Sequence, residues 1–156
     1  MSDYNHKTDW YYEGNISQAI VSFVKLQNYK VIKDNSAKIS KRGEDIVASK
    51  DGTTLIIEVK GYPTEFHTKG LNKGRKKNTN PKLQAKHWLS KGLFTLMRCY
   101  SKYRGKQIEI ALGLPHMPRY IELIETIKPF FIDNEIILKI FFVDQHNVVT
   151  ERIIND

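Results

Sequence analysis

Asp45-Ile46-Val47-Ala48-Ser49-Lys50-Asp51-Gly52-Thr53-Thr54-Leu55-Ile56-Ile57-Glu58-Val59-Lys60 is the stretch that decides the fold. Two strand-like runs flank Lys50-Asp51-Gly52, and Asp-Gly between such runs is a strong hairpin signal, because the turn requires positive φ at its centre. Asp45 stands six residues before Asp51 and Glu58 six residues after Gly52. Folding at the turn therefore brings the two acids to matching heights. Glu58 interrupts an apolar run, where an ionised group is costly unless it is paired or bound to a metal. Lys60 lies two residues further on, so a strand presents Glu58 and Lys60 on the same face.

Outward from the hairpin, residues 1–12 read as an aromatic-rich N-terminal arm. Residues 13–27 carry Ile16, Ala19, Ile20, Phe23, Val24 and Leu26 at helical spacing. A short strand over 29–33 follows, then a polar connection over 34–42. Beyond the hairpin, the polar stretch to Asn80 contains Pro63, Gly70 and Gly74 and exceeds an ordinary connection, so 61–80 reads as a basic mobile loop. Pro81 opens a helix reaching about Tyr100, with an apolar stripe of Leu83, Trp88, Leu89, Leu93, Leu96 and Met97 and a basic opposite face. A strand over 107–112, a helix over 118–131, a strand over 136–143 and an edge strand over 148–154 complete the pattern. This order predicts an α/β sandwich with a central mixed β-sheet flanked by helices, antiparallel at the hairpin and parallel across the later crossovers. At 156 residues, a single domain over 1–156 is expected.

With 40% apolar residues, 27% charged residues and five prolines, the composition is that of a globular chain. No apolar run approaches the roughly eighteen residues of a membrane span, and Met1-Ser2-Asp3-Tyr4-Asn5-His6 lacks a secretory pattern. A soluble, intracellular (cytoplasmic) protein with no membrane partner is expected. The single Cys99 sits in an apolar stretch and predicts a buried structural thiol.

The net charge of +8 is concentrated: residues 69–106 hold twelve of the 25 Lys and Arg and none of the 17 Asp and Glu. Such a segment attracts polyanions and releases counterions at phosphates, which makes nucleic acid the leading partner and an anionic membrane surface the weaker one. A solvated basic face is the plainer reading, and charge counting alone leaves it open.

Two adjacent carboxylates stay ionised at neutral pH most readily around a divalent cation. Oxygen ligands on a partly open site suit Mg²⁺ or Mn²⁺, which activate water and neutralise charge building on a phosphate. Zinc is disfavoured, because His6, His67, His87, His116 and His146 are scattered and one cysteine builds no thiolate site. Lys60 would orient and help deprotonate the attacking water or stabilise the oxyanion. The competing reading makes Glu58 and Lys60 a strand-end salt bridge and Asp45 a boundary residue.

Glu13 on the first helix, Gly43-Glu44-Asp45-Ile46-Val47 and Ile57-Glu58-Val59-Lys60 together resemble the PD-(D/E)XK nuclease superfamily over residues 13 to 100. The resemblance implies a restriction-endonuclease-like fold and a metal-dependent endonuclease hydrolysing DNA phosphodiester bonds. It implies Asp45, Glu58, the Val59 carbonyl and Glu13 as metal ligands, Lys60 as the catalytic lysine, and Gln84 as an accessory residue on the following helix. Where the family name places Pro, this chain has Glu44, which strand alternation would turn away from Asp45. The two strand sequences are similar to those of archaeal Holliday-junction resolvases and small restriction-type endonucleases.

On this reading Lys69, Lys73, Arg75, Lys76, Lys77, Lys82 and Lys86 contact phosphates of DNA, or alternatively RNA, without reading sequence. Trp88, Tyr100 and Tyr103 are candidates for base stacking, with core packing the commoner role of a Trp on an apolar stripe. Phe130-Phe131 and Phe141-Phe142 are core candidates, or a dimer surface where exposed. Double-strand cutting by so small a domain implies a homodimer. The alternatives are a catalytically inactive nucleic-acid-binding module of the same fold, and an assembly subunit whose basic face docks an acidic protein.

Overall fold

The hairpin forms where the turn signal places it. In the computed structural model, which describes residues 5–35 and 43–154, β-strands Ile46–Lys50 and Thr53–Val59 pair antiparallel. Ile46 lies opposite Ile57 and Lys50 opposite Thr53, and the turn residues Asp51 and Gly52 have φ of 50° and 81°. An antiparallel strand, β1 (Lys30–Asp34), precedes this pair, which we number β2 and β3. On the other side β3 pairs parallel with β4 (Ile108–Pro115), which pairs parallel with β5 (Lys139–Val143). Antiparallel β6 (Val149–Ile153) closes the far edge, so the six strands lie in chain order. The sheet is mixed, as its hairpin and crossovers predict.

Helix α1 (Glu13–Leu26) packs on one face through Ile16, Ile20, Val21 and Val24, which meet Leu55, Ile57 and Val59. Helices α2 (Pro81–Lys102) and α3 (Pro118–Asp133) cover the other face, where Ala85, Leu89, Leu96, Leu123 and Ile124 meet Ile56, Leu112 and Ile140. β3 is thus buried from both sides, and its continuous apolar run reflects this. Asn80 caps α2 by accepting the Lys82 N–H at 2.9 Å, one residue before Pro81.

Three expectations need correction. The buried stripe of α2 is Ala85, Leu89, Gly92, Leu96 and Cys99, whereas Leu83 and Met97 are exposed. The small residues Ala85 and Gly92 let this face approach the sheet, a choice that hydropathy alone does not signal. Leu26, at the end of α1, is exposed as well. Residues 61–80 carry more order than an irregular loop: Phe66 and Lys76 form an isolated antiparallel bridge, and Lys77 N–H donates to Glu65 O at 2.8 Å. Most of the connection expected over 34–42 lies outside the described residues.

Gly61, two residues past the end of β3, lets the N-terminal arm cross the end of the sheet. A Cβ there would come within 2.7 Å of both Glu13 N and Tyr11 O, backbone atoms that cannot step aside. Tyr62 N–H donates to Tyr11 O at 3.1 Å, and the buried Tyr120 hydroxyl donates to Gly61 O at 2.7 Å. Gly61→Ala is therefore expected to cost ~1–3 kcal/mol in urea unfolding, the usual range for overpacking. An unchanged midpoint would show that the arm is not seated on β3.

Candidate metal and nucleic-acid site

The chemistry-bearing residues gather at the C-terminal end of β3. Extending the β2–β3 register by one pair puts Asp45 opposite Glu58. The bond that fixes this end runs from Val59 N–H to Asp45 Oδ2, at 2.7 Å. Glu58 follows Ile56 on the α2 face and is 4% exposed, so its carboxylate sits in apolar surroundings. Lys60 Nζ donates to Glu58 Oε1 at 2.6 Å. Gly92 on α2 lies against the lysine stem, since a Cβ there would be in van der Waals contact with Lys60 Cε and Cγ at 3.5 Å.

Glu58 Oε2 is buried and has no hydrogen-bond partner, alone in this respect among the described residues. The group facing it is the Asp45 carboxylate, which offers an acceptor unless a proton lies between them. Burial and then the Asp45 charge push the Glu58 carboxyl up to about 7, although Lys60 pulls the other way. Glu13, at the first turn of α1, faces Lys60, Asp45 and the Gly61 N–H, and burial holds its pKa above the usual value. Burial would lower the Lys60 pKa, but Glu58, Glu13 and Asp45 outweigh it and keep it raised. The facing carboxylates thus favour the ammonium form of Lys60.

This geometry goes beyond a strand-end salt bridge, because Asp45 is engaged with β3 and faces Glu58. Among the described residues no group of three or more His, Cys, Asp or Glu is arranged to hold a metal ion. The donors present still fit Mg²⁺ or Mn²⁺, which bind through one or two carboxylates with the remaining positions left to water and substrate. The partnerless Glu58 Oε2 beside Asp45 is the place where a cation would meet two facing carboxylates.

Glu44 differs from its neighbour for a reason that alternation does not supply, since β2 begins only at Ile46. Its buried carboxylate is held by Lys33 at 2.9 Å and Lys102 at 3.1 Å. Burial pushes its carboxyl up, but the two lysines override burial and hold it at about 2. A bulge between Val31 and Lys33 in β1 turns Lys33 toward this partner. Cys99 is buried as expected, and burial with the flanking Glu44 and Glu58 pushes its thiol to about 11.

Of the expected phosphate contacts, Lys69, Lys73, Arg75, Lys76, Lys82 and Lys86 are exposed and Lys77 is half-buried. Among the described residues none of them forms an ion pair with an acid. Lys69 and Lys77 line a cavity of about 260 Å³ together with Asp45 and Glu13. Gln84 does not line it; its amide oxygen faces Lys77 Nζ at 3.5 Å. Trp88 is half-buried and lines the cavity, in place of the core position expected for it. Tyr100 is exposed, and Tyr103 stacks under Lys102 and Lys106. Phe141 and Phe142 are core residues, whereas Phe130 is exposed. Sequence reasoning missed Gly61, Gly92, Tyr120 and the placing of the aromatic arm against the site, although a glycine directly after Lys60 was a usable signal.

No protein-family model and no curated protein matches the chain. Its fold is similar to that of an fdxN element excision controlling factor protein from Anabaena variabilis, known from a crystal structure. The TM-score is 0.51 at 16% identity, covering 90% of this chain and 99% of that one. At this identity the likeness speaks for the fold alone. Among the described residues no helix is long and apolar enough to cross a membrane.

The raised Glu58 pKa fixes the sign of a pH effect. The unfolded chain releases the proton near 4.5, while the folded protein keeps it to about 7. The stability this contributes is complete below 4.5 and is lost as pH rises to about 7. In chelator, wild type is expected to lose roughly 1–3 kcal/mol relative to Glu58→Gln between about pH 5 and 8. Parallel urea-unfolding profiles for the two proteins would contradict this.

Proposed function

We propose that this protein is a metal-dependent endonuclease of restriction-endonuclease-like fold and PD-(D/E)XK type, hydrolysing DNA phosphodiester bonds. The observation that carries the reading is the buried Glu58 Oε2, partnerless and facing Asp45, with an ammonium 2.6 Å from the other oxygen. A purely structural ion pair has no need of the second acid. The basic side chains on 69–86, none of them ion-paired with an acid among the described residues, support a polyanionic substrate.

Asp45, Glu58 and the Val59 carbonyl would hold Mg²⁺ or Mn²⁺, with Glu13 reaching the site from the first turn of α1. When bound, such a cation lowers the pKa of a water and neutralises charge on the phosphate. The protein's own part begins with Lys60. As an ammonium it donates hydrogen bonds, which orient the attacking water and stabilise the oxyanion as charge builds on the phosphoryl oxygens. Asp45 is fixed before substrate arrives by its bond from Val59 N–H, so little reorganisation remains for the reaction. The exposed lysines of 69–86 position the backbone without reading sequence. Cutting both strands of a duplex would call on a second copy of the chain.

Supercoiled DNA is expected to be nicked in Mg²⁺ or Mn²⁺ and left intact in chelator. Asp45→Ala, Glu58→Ala and Lys60→Ala should each lower the rate by about 10²–10⁴-fold, the range for losing a positioned catalytic group. Cleavage that survives all three substitutions would overturn the assignment, while binding without cleavage in wild type would favour a silent nucleic-acid-binding module. Independently, millimolar Mg²⁺ at alkaline pH should raise the Tm of wild type and leave that of Asp45→Ala unchanged, because only a ligand that binds the folded state stabilises it.

A further inference from the structure

The phosphodiester chemistry leaves one part of the site unused. The cavity of about 260 Å³ is lined by Asp45 and Glu13, by Lys69 and Lys77, and by the rings of Tyr12 and Trp88. It falls just below the roughly 300–1,000 Å³ of small-molecule pockets, so it has room for one heteroaromatic ring system and not for a base pair in its stack. Its chemistry is mixed in an informative way. Aromatic walls suit stacking by any base, because every base has a π-face. Lysines suit a phosphate, and the two acids that share the wall belong to the proposed cleavage site.

The aromatic wall is also set in place by the local chain. Tyr12 lies over Gly14, where a Cβ would come 2.7 Å from Tyr12 Cε1, so the glycine leaves room for the ring. His6 packs edge-on to Tyr12, with ring centroids 5.3 Å apart and planes at 83°. The arm that carries these rings is anchored at Gly61, one residue after Lys60. Base site and acids are therefore held by the same strand end.

We propose that this cavity receives one unpaired base of a DNA strand, stacked on Tyr12 or Trp88, so that the phosphodiester of that nucleotide meets Asp45 and Glu58. The second half rests on the nuclease reading; the first does not. The substrate class is then a strand that already presents an unstacked nucleotide, single-stranded or at a branch, gap or bulge. A base in an intact duplex would first have to leave its stack, which disfavours regular duplex.

The test compares end-labelled single strands that are identical except for one abasic position, with 2-aminopurine at that position in a third strand. Binding is read by anisotropy in chelator, so no cleavage intervenes. Wild type should bind the abasic strand roughly 5–100-fold more weakly, the effect of losing one stacked base. The 2-aminopurine emission should change on binding. Tyr12→Leu with Trp88→Leu should bind intact and abasic strands alike, while Trp88→Phe keeps the discrimination.

Equal affinity of wild type for the intact and abasic strands overturns the base site, and since it needs no variant, misfolding cannot imitate it. Discrimination in chelator without cleavage in Mg²⁺ supports the base site and removes the nuclease reading. Cleavage without discrimination removes the base site alone. Failure to bind any strand at low salt overturns both.

Discussion

A hydrogen bond of 2.7 Å from Val59 N–H to Asp45 Oδ2 joins the first acid to the strand that carries the second. Charge-assisted bonds of this kind are short and directional, so the position of Asp45 is set by backbone and not by a mobile side-chain partner. Glu58 receives no such help: one oxygen has Lys60 and the other has none. The surroundings maintain that imbalance. α2 brings Gly92 up to Lys60, the arm crosses at Gly61, and the Tyr120 hydroxyl takes up the Gly61 carbonyl.

Glu44 and Glu58 make an internal comparison, because both are buried at the same end of the sheet. Each meets the penalty for removing a carboxylate from water. Two lysines from different elements answer that penalty at Glu44, whose carboxyl is held at about 2, well below the usual range. At Glu58 a single lysine is opposed by Asp45, and the carboxyl rises to about 7. Burial alone does not decide where such a carboxyl titrates. The balance of charge around it does, and here it distinguishes two residues of the same type.

Much of the sheet was legible because its signals are local. Asp51-Gly52 located the turn, period-two alternation put Glu58 and Lys60 together, and counting from the turn paired Asp45 with Glu58. The mixed pairing followed from element order. The helical stripe was less legible, since Leu83 and Met97 compete with Ala85 and Gly92 for the same spacing, and close approach to the sheet decided for the small residues. The environment of Glu44 was not legible at all. It depends on Lys102, far along the chain, and on a bulge that moves Lys33 across the edge strand. The cavity was hidden for the same reason: Tyr12, Thr68 and Trp88 meet only once the arm and the 61–80 segment have settled around the end of β3.

The chain-order arrangement of the six strands bears on how the molecule is made. Every strand pairs with its neighbour in sequence, so each can add to an edge already formed, and the longest closure is the β3–β4 crossover that contains α2. During synthesis the N-terminal elements emerge first, and the β2–β3 hairpin that carries Asp45, Glu58 and Lys60 can form before any parallel pairing exists. Its open edge is then the template for β4, which arrives only after the whole of α2. The hairpin thus pairs the two acids without help from any other strand, while the face that buries Glu58 is supplied by α2, a helix that follows both acids in the chain.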